Sequence, residues 1–134
     1  MRIWYADDDQ VDACVMHMEG VVVSDAASLR RWAEVMTEAS DAWLAKRNGT
    51  PWFCLINLAG FRLAPDMSEQ YGAQAKQFVQ RYFTGAIRFG TPDGLCTDAA
   101  LRLGAIKGRF PSNLFRDLDT ARTVHRQLLT PAGE

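Results

Sequence analysis

The sequence lacks any strong excess of one charge and any long apolar run. Its 134 residues carry 15 Lys and Arg against 16 Asp and Glu, a formal net charge of −1. This balance gives no long-range attraction for phosphates or anionic lipid, so it argues against nucleic-acid binding. No apolar stretch approaches the ~20 residues of a membrane-spanning helix, and residues 1–10 do not resemble a signal peptide. We therefore expect a cytoplasmic protein without an integral membrane segment.

Cysteine and histidine are scarce and widely spread. The 3 cysteines are Cys14, Cys54 and Cys96, and the 2 histidines are His17 and His125. They lack the close pairs of a zinc site, and an odd number of distant cysteines does not indicate a disulfide framework. The sequence also contains neither a phosphate-binding glycine loop nor a nucleophile elbow. We therefore expect no metal, no cofactor, no catalytic residues and no enzymatic activity.

Hydrophobic periodicity predicts one α/β domain over residues 1–134, with the order β-β-α-β-α-β-α-β-α. Because each helix must bury its apolar stripe on a sheet, we expect a mixed sheet of about five strands with about four helices packed on it. The predicted strands are residues 2–6, 13–23, 52–58, 86–90 and 112–115, and the predicted helices are residues 25–47, a helix following Asp66, 97–103 and 117–129.

The run at residues 52–58 is almost continuously apolar. Such a run is typical of a strand covered on both faces, so it is the predicted central strand. The loop at residues 60–68 follows it, and Asp66 with Glu69 three residues later predicts a capping box for the next helix.

Several polar residues have ordinary structural interpretations. The acidic residues 7–9 predict a solvated turn, because adjacent carboxylates repel one another and cannot be buried unpaired. His17 alternates with inward-facing neighbours and is predicted to be half-exposed in a strand. His125 is predicted to lie on the surface of the last helix.

The predicted element order and three segments resemble the STAS family and its SpoIIAA-like relatives. The segments read WFCLINLAG, FRLAPDMSEQYG and NLFRDLDTARTVHRQLL. The family comprises anti-sigma-factor antagonists, modules of sulphate transporters and sensors, and a group compared with lipid-binding Sec14-type domains. The resemblance implies a STAS-like single domain that acts on a protein partner such as an anti-sigma factor, a kinase or a sensor.

The regulatory loop departs from the pattern of the phosphorylatable family members. Those members carry Asp-Ser-Ser-Gly at the start of a helix, and Asp66 matches its first position. Met67 stands at the usual phosphoacceptor position and Glu69 at the glycine, so phosphoregulation is not implied. Ser68 is a candidate substitute acceptor, and its alternative role is to satisfy a free backbone group at the helix start.

Two binding surfaces follow from these patterns. Apolar side chains around an arginine have the composition of an interface, so we expect the loop to bind a partner and to expose several of these side chains. The alternative is a pocket for an apolar small molecule between the sheet and its helices. The aromatic stripe that would line this pocket could equally be ordinary hydrophobic core. The loop candidates are Phe61, Arg62, Leu63, Pro65, Asp66, Met67 and Ser68, and the pocket candidates are Tyr71, Phe78, Tyr82, Phe89 and Leu101.

Overall fold

The computed structural model of the chain describes residues 1–90, 114–115 and 117–129. The predicted helix at residues 97–103 lies outside this part. None of the described helices is long and apolar enough to cross a membrane. The elements are β1 Arg2–Asp7, β2 Cys14–Glu19, β3 Val21–Val23, α1 Ala26–Lys46, β4 Trp52–Asn57, β5 Phe61–Leu63, a short 3₁₀ helix Pro65–Met67, α2 Ser68–Tyr82, β6 Phe83–Phe89, β7 Leu114–Phe115 and α3 Leu118–Leu129.

The main sheet has five strands in the order β1-β2-β4-β6-β7. Strands β1 and β2 are antiparallel, whereas β2, β4, β6 and β7 run parallel to their neighbours. A parallel connection needs a crossover, and α1 and α2 provide it between β2 and β4 and between β4 and β6. The predicted mixed α/β sheet and the central position of the apolar strand are both confirmed.

Strand β4 is buried on both faces, as its continuous apolar run predicts. Cys54 belongs to the larger core cluster, which includes side chains of α1 and α2, and Leu55 belongs to a smaller cluster that includes Ala121 of α3. Both residues are 0% exposed. The sheet therefore separates two cores, one beneath α1 and α2 and the other beneath α3.

A second, two-stranded sheet corrects the prediction for two segments. The predicted strand 13–23 is divided at Gly20, which has a φ of 61°. Its second part, β3, pairs in parallel with β5, which lies inside the predicted loop 60–68. Gly60 precedes β5 with a φ of 83°, and a Cβ there would lie 2.7 Å from the carbonyl oxygen of Met18. The strand was missed because three residues are too short to show periodicity.

The two long helices begin differently. Asp25 caps α1 by accepting a hydrogen bond from the backbone N–H of Ser28, whose side chain completes the capping box. This cap agrees with the predicted start of the helix at residue 25. For α2, the predicted capping box at Asp66 is wrong, because Asp66 lies in the 3₁₀ helix and Met67 occupies the cap position without a side-chain hydrogen bond.

The acidic turn is not simply solvated, because one of its carboxylates holds α3 in place. The Asp8 side chain is 2% exposed and lies 2.7 Å from Nη2 of Arg122. The backbone N–H groups of Gln10 and Val11 also donate to it. Burial by itself raises the pKa of Asp8, but these hydrogen bonds outweigh burial and bring the pKa below 3.8. The positive charge of Arg122, which is 114 residues away from Asp8 in sequence, thus offsets the expected repulsion between the carboxylates of this turn.

We predict that Leu55→Ala lowers the free energy of unfolding by about 2 to 5 kcal/mol, because it leaves a cavity in a fully buried strand. Chemical denaturation measures the loss. Val22→Ala is the matched control, since Val22 is 46% exposed, and it should change stability by less than about 0.5 kcal/mol. Equal effects of the two substitutions would contradict the central burial of β4.

We predict that Asp8→Asn costs about 2 kcal/mol at neutral pH, because a buried carboxylate loses its charge-assisted bonds to Arg122. The folded-state pKa of Asp8 is lowered, so its contribution is present above 3.8 and is lost as the pH falls through the folded-state value. Denaturation curves of wild type and variant should therefore converge in acid. Asp9→Asn is the control, because Asp9 contacts the same arginine but its side chain is 85% exposed. A difference in the free energy of unfolding that stays the same at every pH would contradict this role of the Asp8 carboxylate.

Candidate functional site

A cavity of about 390 Å³ lies between the main sheet and helices α1 and α2. Ligand pockets commonly measure about 300 to 1,000 Å³, so this space is large enough for a small organic molecule. Its walls are mainly aromatic, aliphatic and methionine side chains. The lining residues are Met16, Met18, Trp32, Met36, Phe53, Ile56, Tyr71, Ala75, Phe78, Val79, Phe83, Thr84, Gly85, Ala86 and Arg88.

The floor of the cavity is a row of residues on three parallel strands. Met16 of β2 is in register with Ile56 of β4, and Ile56 is in register with Arg88 of β6. This row lies near the carboxyl ends of the parallel strands, where open α/β sheets generally bind ligands. The roof includes Trp32 and Met36, which are four residues apart on α1 and therefore share one face of that helix.

Few polar groups face this apolar space. Trp32 is 3% exposed, and its Nε1 has no hydrogen-bond partner among the described residues. Its ring packs on Tyr71 with centroids 5.1 Å apart. Burial raises the pKa of the Tyr71 phenol, and the charge of nearby Arg88 offsets part of that rise. Trp32, Tyr71 and Arg88 are therefore polar residues in the cavity wall.

Two of the predicted pocket residues line this cavity. Tyr71 and Phe78 are among its walls. Tyr82 is instead a core residue that packs on Trp52, and its hydroxyl donates to Asp41. Phe89 belongs to the cluster on the opposite face of the sheet, and Leu101 lies outside the described residues. The prediction is therefore correct for the helix face but wrong for Phe89, because residues of β6 alternate between the two cores.

The sequence prediction missed most of the wall. Met16 and Met18 carry a signal, since they alternate along β2 with their neighbours, and Trp32 and Met36 belong to the helical stripe of α1. No sequence pattern would assign Arg88 to the cavity wall, because a charged residue next to Phe89 in a strand is usually expected at an exposed edge of the sheet. Arg88 is in fact 6% exposed.

The expectation that the loop exposes its apolar side chains is wrong. Phe61 is 0% exposed, Leu63 2% and Met67 7%. They are buried because β5 pairs with β3 and directs Phe61 and Leu63 into the larger core. Arg62, Pro65 and Asp66 are exposed. A partner-binding loop would therefore have to be polar rather than apolar.

Ser68 is also buried, at 1% exposure. Its hydroxyl donates a hydrogen bond to the carbonyl oxygen of Pro65 at 2.7 Å. This contact gives it the structural role that the sequence left open, joining the 3₁₀ helix to the start of α2. Phosphorylation of Ser68 remains a prediction, and it would require the loop to release this side chain.

The two histidines have different surroundings. His17 is half-buried and stacks on Trp4 with ring centroids 5.3 Å apart, in agreement with its predicted place in a strand. His125 is only 1% exposed and lies 4.2 Å from the ring of Phe53, so its predicted surface position is wrong. Packing of α3 against the sheet buries it. In the described part of the chain, no group of three or more His, Cys, Asp or Glu residues could hold a metal ion.

The chain matches no protein-family model, no curated protein and no solved structure. A functional assignment therefore rests on the geometry of the cavity.

We predict that Ser68→Asp lowers the free energy of unfolding more than Ser68→Ala does. The alanine variant loses one hydrogen bond, at about 1 kcal/mol, whereas the aspartate variant also buries a carboxylate beside a carbonyl oxygen. Gln70→Asp is the control for charge in the first turn of α2, because Gln70 is exposed. Chemical denaturation compares the three. An aspartate at position 68 that is tolerated as well as one at position 70 would contradict the structural role of Ser68.

Proposed function

We propose that the protein is a carrier or sensor of an apolar small molecule, which it binds in the cavity between the sheet and α1 and α2. The observation that carries this proposal is an apolar space of about 390 Å³ with few polar residues in its wall. A cavity of roughly 150 Å³ lined by aliphatic and aromatic residues is already enough to bind benzene. Binding a larger apolar molecule would bury apolar surface on both sides, and this burial favours association.

The composition of the wall suits a ligand with a flexible or irregular body. Met16, Met18 and Met36 are unbranched, and their polarizable thioethers adapt to differently shaped partners. Phe78 and Tyr71 add flat aromatic surfaces from α2. A protein whose task is to hold or detect a molecule needs such a wall and requires no reacting group, so the proposal retains the expectation that the protein is not an enzyme.

The second candidate is the STAS-like regulatory module that binds an anti-sigma factor, kinase or sensor. One observation favours it: Val22 of β3 is 46% exposed and is paired in register with the exposed Arg62 of β5. Together with Pro65 and Asp66, they form a surface on which a protein partner could bind. The regulatory role, the STAS-like assignment and a cytoplasmic location all stay proposals. The apolar side chains of the loop are buried, and this burial makes the small-molecule carrier or sensor the stronger candidate.

We predict that Ala75→Phe weakens ligand binding while leaving the protein folded. Ala75 lines the cavity on α2, so a phenyl ring there would occupy the ligand's space. The probe is phenylnaphthylamine, a neutral molecule whose fluorescence rises in apolar surroundings. Its affinity should fall at least about tenfold, which corresponds to about 1.4 kcal/mol.

Ala73→Phe is the matched control, because Ala73 lies on the same helix but is exposed. This variant should bind the probe as wild type does, and thermal unfolding should show that both variants are folded. Equal affinity of the two variants would contradict the cavity as the binding site. Mass spectrometry of the purified protein provides a second measurement, since a carried molecule should leave with wild type and be absent from Ala75→Phe.

A further inference from the structure

Two free cysteines lie side by side on neighbouring parallel strands. Cys14 of β2 is in register with Cys54 of β4. Both belong to the larger core cluster, so their side chains extend from the same face of the sheet. They are 1% and 0% exposed, and neither is among the residues that line the apolar cavity. The pair is therefore a buried dithiol that the proposed function does not use.

The spacing of the two strands suits an ion between the sulfur atoms better than a disulfide. Neighbouring strands lie about 4.8 Å apart, and residues in register share that spacing. A disulfide draws the two Cβ atoms to about 3.8 Å, so the strands would have to approach each other. Two metal–thiolate bonds of about 2.3 Å each span about 4.6 Å, which matches the strand spacing without such a movement.

Polar groups already surround the sulfur of Cys14. Trp43 Nε1 donates to it at 3.3 Å and Arg47 Nη1 at 3.5 Å, while the thiol itself donates to Asp7 Oδ1 at 3.6 Å. Burial raises the pKa of the Cys14 thiol, whereas the hydrogen bond from Trp43 and the charge of Arg47 lower it. The two N–H donors favour a sulfur that carries negative charge, and the thiolate is the form that binds a metal.

The pair lies one side chain below the surface. Arg47 follows the last residue of α1, and its side chain is 28% exposed while its guanidinium contacts the sulfur of Cys14. The same guanidinium lies 3.7 Å from Asp7, whose side chain is 75% exposed. A movement of the Arg47 side chain would therefore open a path for an ion, and its charge would remain beside the site.

We infer that Cys14 and Cys54 bind Cu(I) as a two-coordinate site between β2 and β4. On binding, each thiol releases its proton, two sulfur–copper bonds form and copper keeps its oxidation state. The complex then carries one negative charge, which Arg47 partly offsets. This inference is independent of the proposed function.

The ligand set selects the metal. Thiolates are soft ligands that favour soft ions such as Cu(I). Zn(II) takes four ligands in structural sites, and the described residues offer no group of three or more His, Cys, Asp or Glu. Two sulfur ligands alone therefore favour Cu(I) over Zn(II).

The experiment titrates reduced protein with Cu(I) in the absence of oxygen, in competition with the coloured Cu(I) complex of bathocuproine disulfonate. Wild type should take up about one Cu(I) per chain and gain ultraviolet absorption from thiolate-to-copper charge transfer. Zn(II), measured against a coloured zinc indicator, should bind at least about a hundredfold more weakly. Equal affinity for the two ions, or no uptake of Cu(I), would overturn the inference.

Substitutions test the ligands one at a time. Cys14→Ser and Cys54→Ser should each abolish uptake, because each replaces a soft ligand by a hydroxyl. Cys96→Ser is the matched control, since Cys96 is the third cysteine of the chain and lies outside the described residues. It should bind as wild type does. Uptake that survives Cys14→Ser, or that is lost in Cys96→Ser, would overturn the assignment of the pair.

Arg47 is expected to act on the site through the Cys14 sulfur. Arg47→Met should weaken Cu(I) binding about tenfold, as expected for a group that contacts a ligand rather than the metal. Arg30→Met is its control, because Arg30 is exposed on α1, and it should leave the affinity unchanged. Equal affinity of these two variants would contradict the role of Arg47.

A measurement on wild type decides even if a cysteine variant does not fold. X-ray absorption at the copper edge should show two sulfur neighbours and no nitrogen neighbour. Circular dichroism shows which variants are folded, and only those count in the comparison of affinities. A third sulfur or a nitrogen neighbour would overturn the two-coordinate site.

Discussion

Burial of β4 on both faces is the constraint on which the remaining structure depends. Cys54 and Leu55 are consecutive residues and both are 0% exposed, although their side chains point to opposite sides of the sheet. A helical layer on each side is the arrangement that removes both from water, because an exposed strand of this composition would leave a large apolar surface. The placement of α1 and α2 on one face and α3 on the other follows from this requirement, and the Asp8–Arg122 pair then joins α3 to the far edge of the sheet.

The candidate site results from incomplete packing on one face of the sheet. On the face of α1 and α2, side chains such as Trp32, Met36, Tyr71 and Phe78 form a core that still leaves about 390 Å³ unfilled. Protein interiors are usually packed with few voids larger than a water molecule, and an unfilled space forgoes dispersion contacts. A cavity of this size therefore weakens the fold in a way that a bound ligand would compensate.

The loop between β4 and α2 illustrates how tertiary pairing changes the meaning of a sequence pattern. Phe61, Leu63 and Met67 have the composition of a recognition surface when they are viewed as a loop. Pairing of β5 with β3 turns Phe61 and Leu63 into the core and leaves Arg62 outside, because side chains alternate along a strand. The same residues therefore stabilise the fold, and the regulatory interpretation depends on a smaller, polar group of side chains.

The sequence by itself determined the features that depend on local periodicity and composition: the α/β class, the central apolar strand, the Asp25 helix start and the aromatic stripe of Tyr71 and Phe78. Only the tertiary structure decided the features that depend on contacts between distant segments. The pairing of β3 with β5, the burial of His125 against Phe53 and the packing of Trp32 on Tyr71 all join residues that are far apart along the chain. Periodicity shows that a side chain faces inward, but strand register and helix packing decide which core it enters and what it meets there.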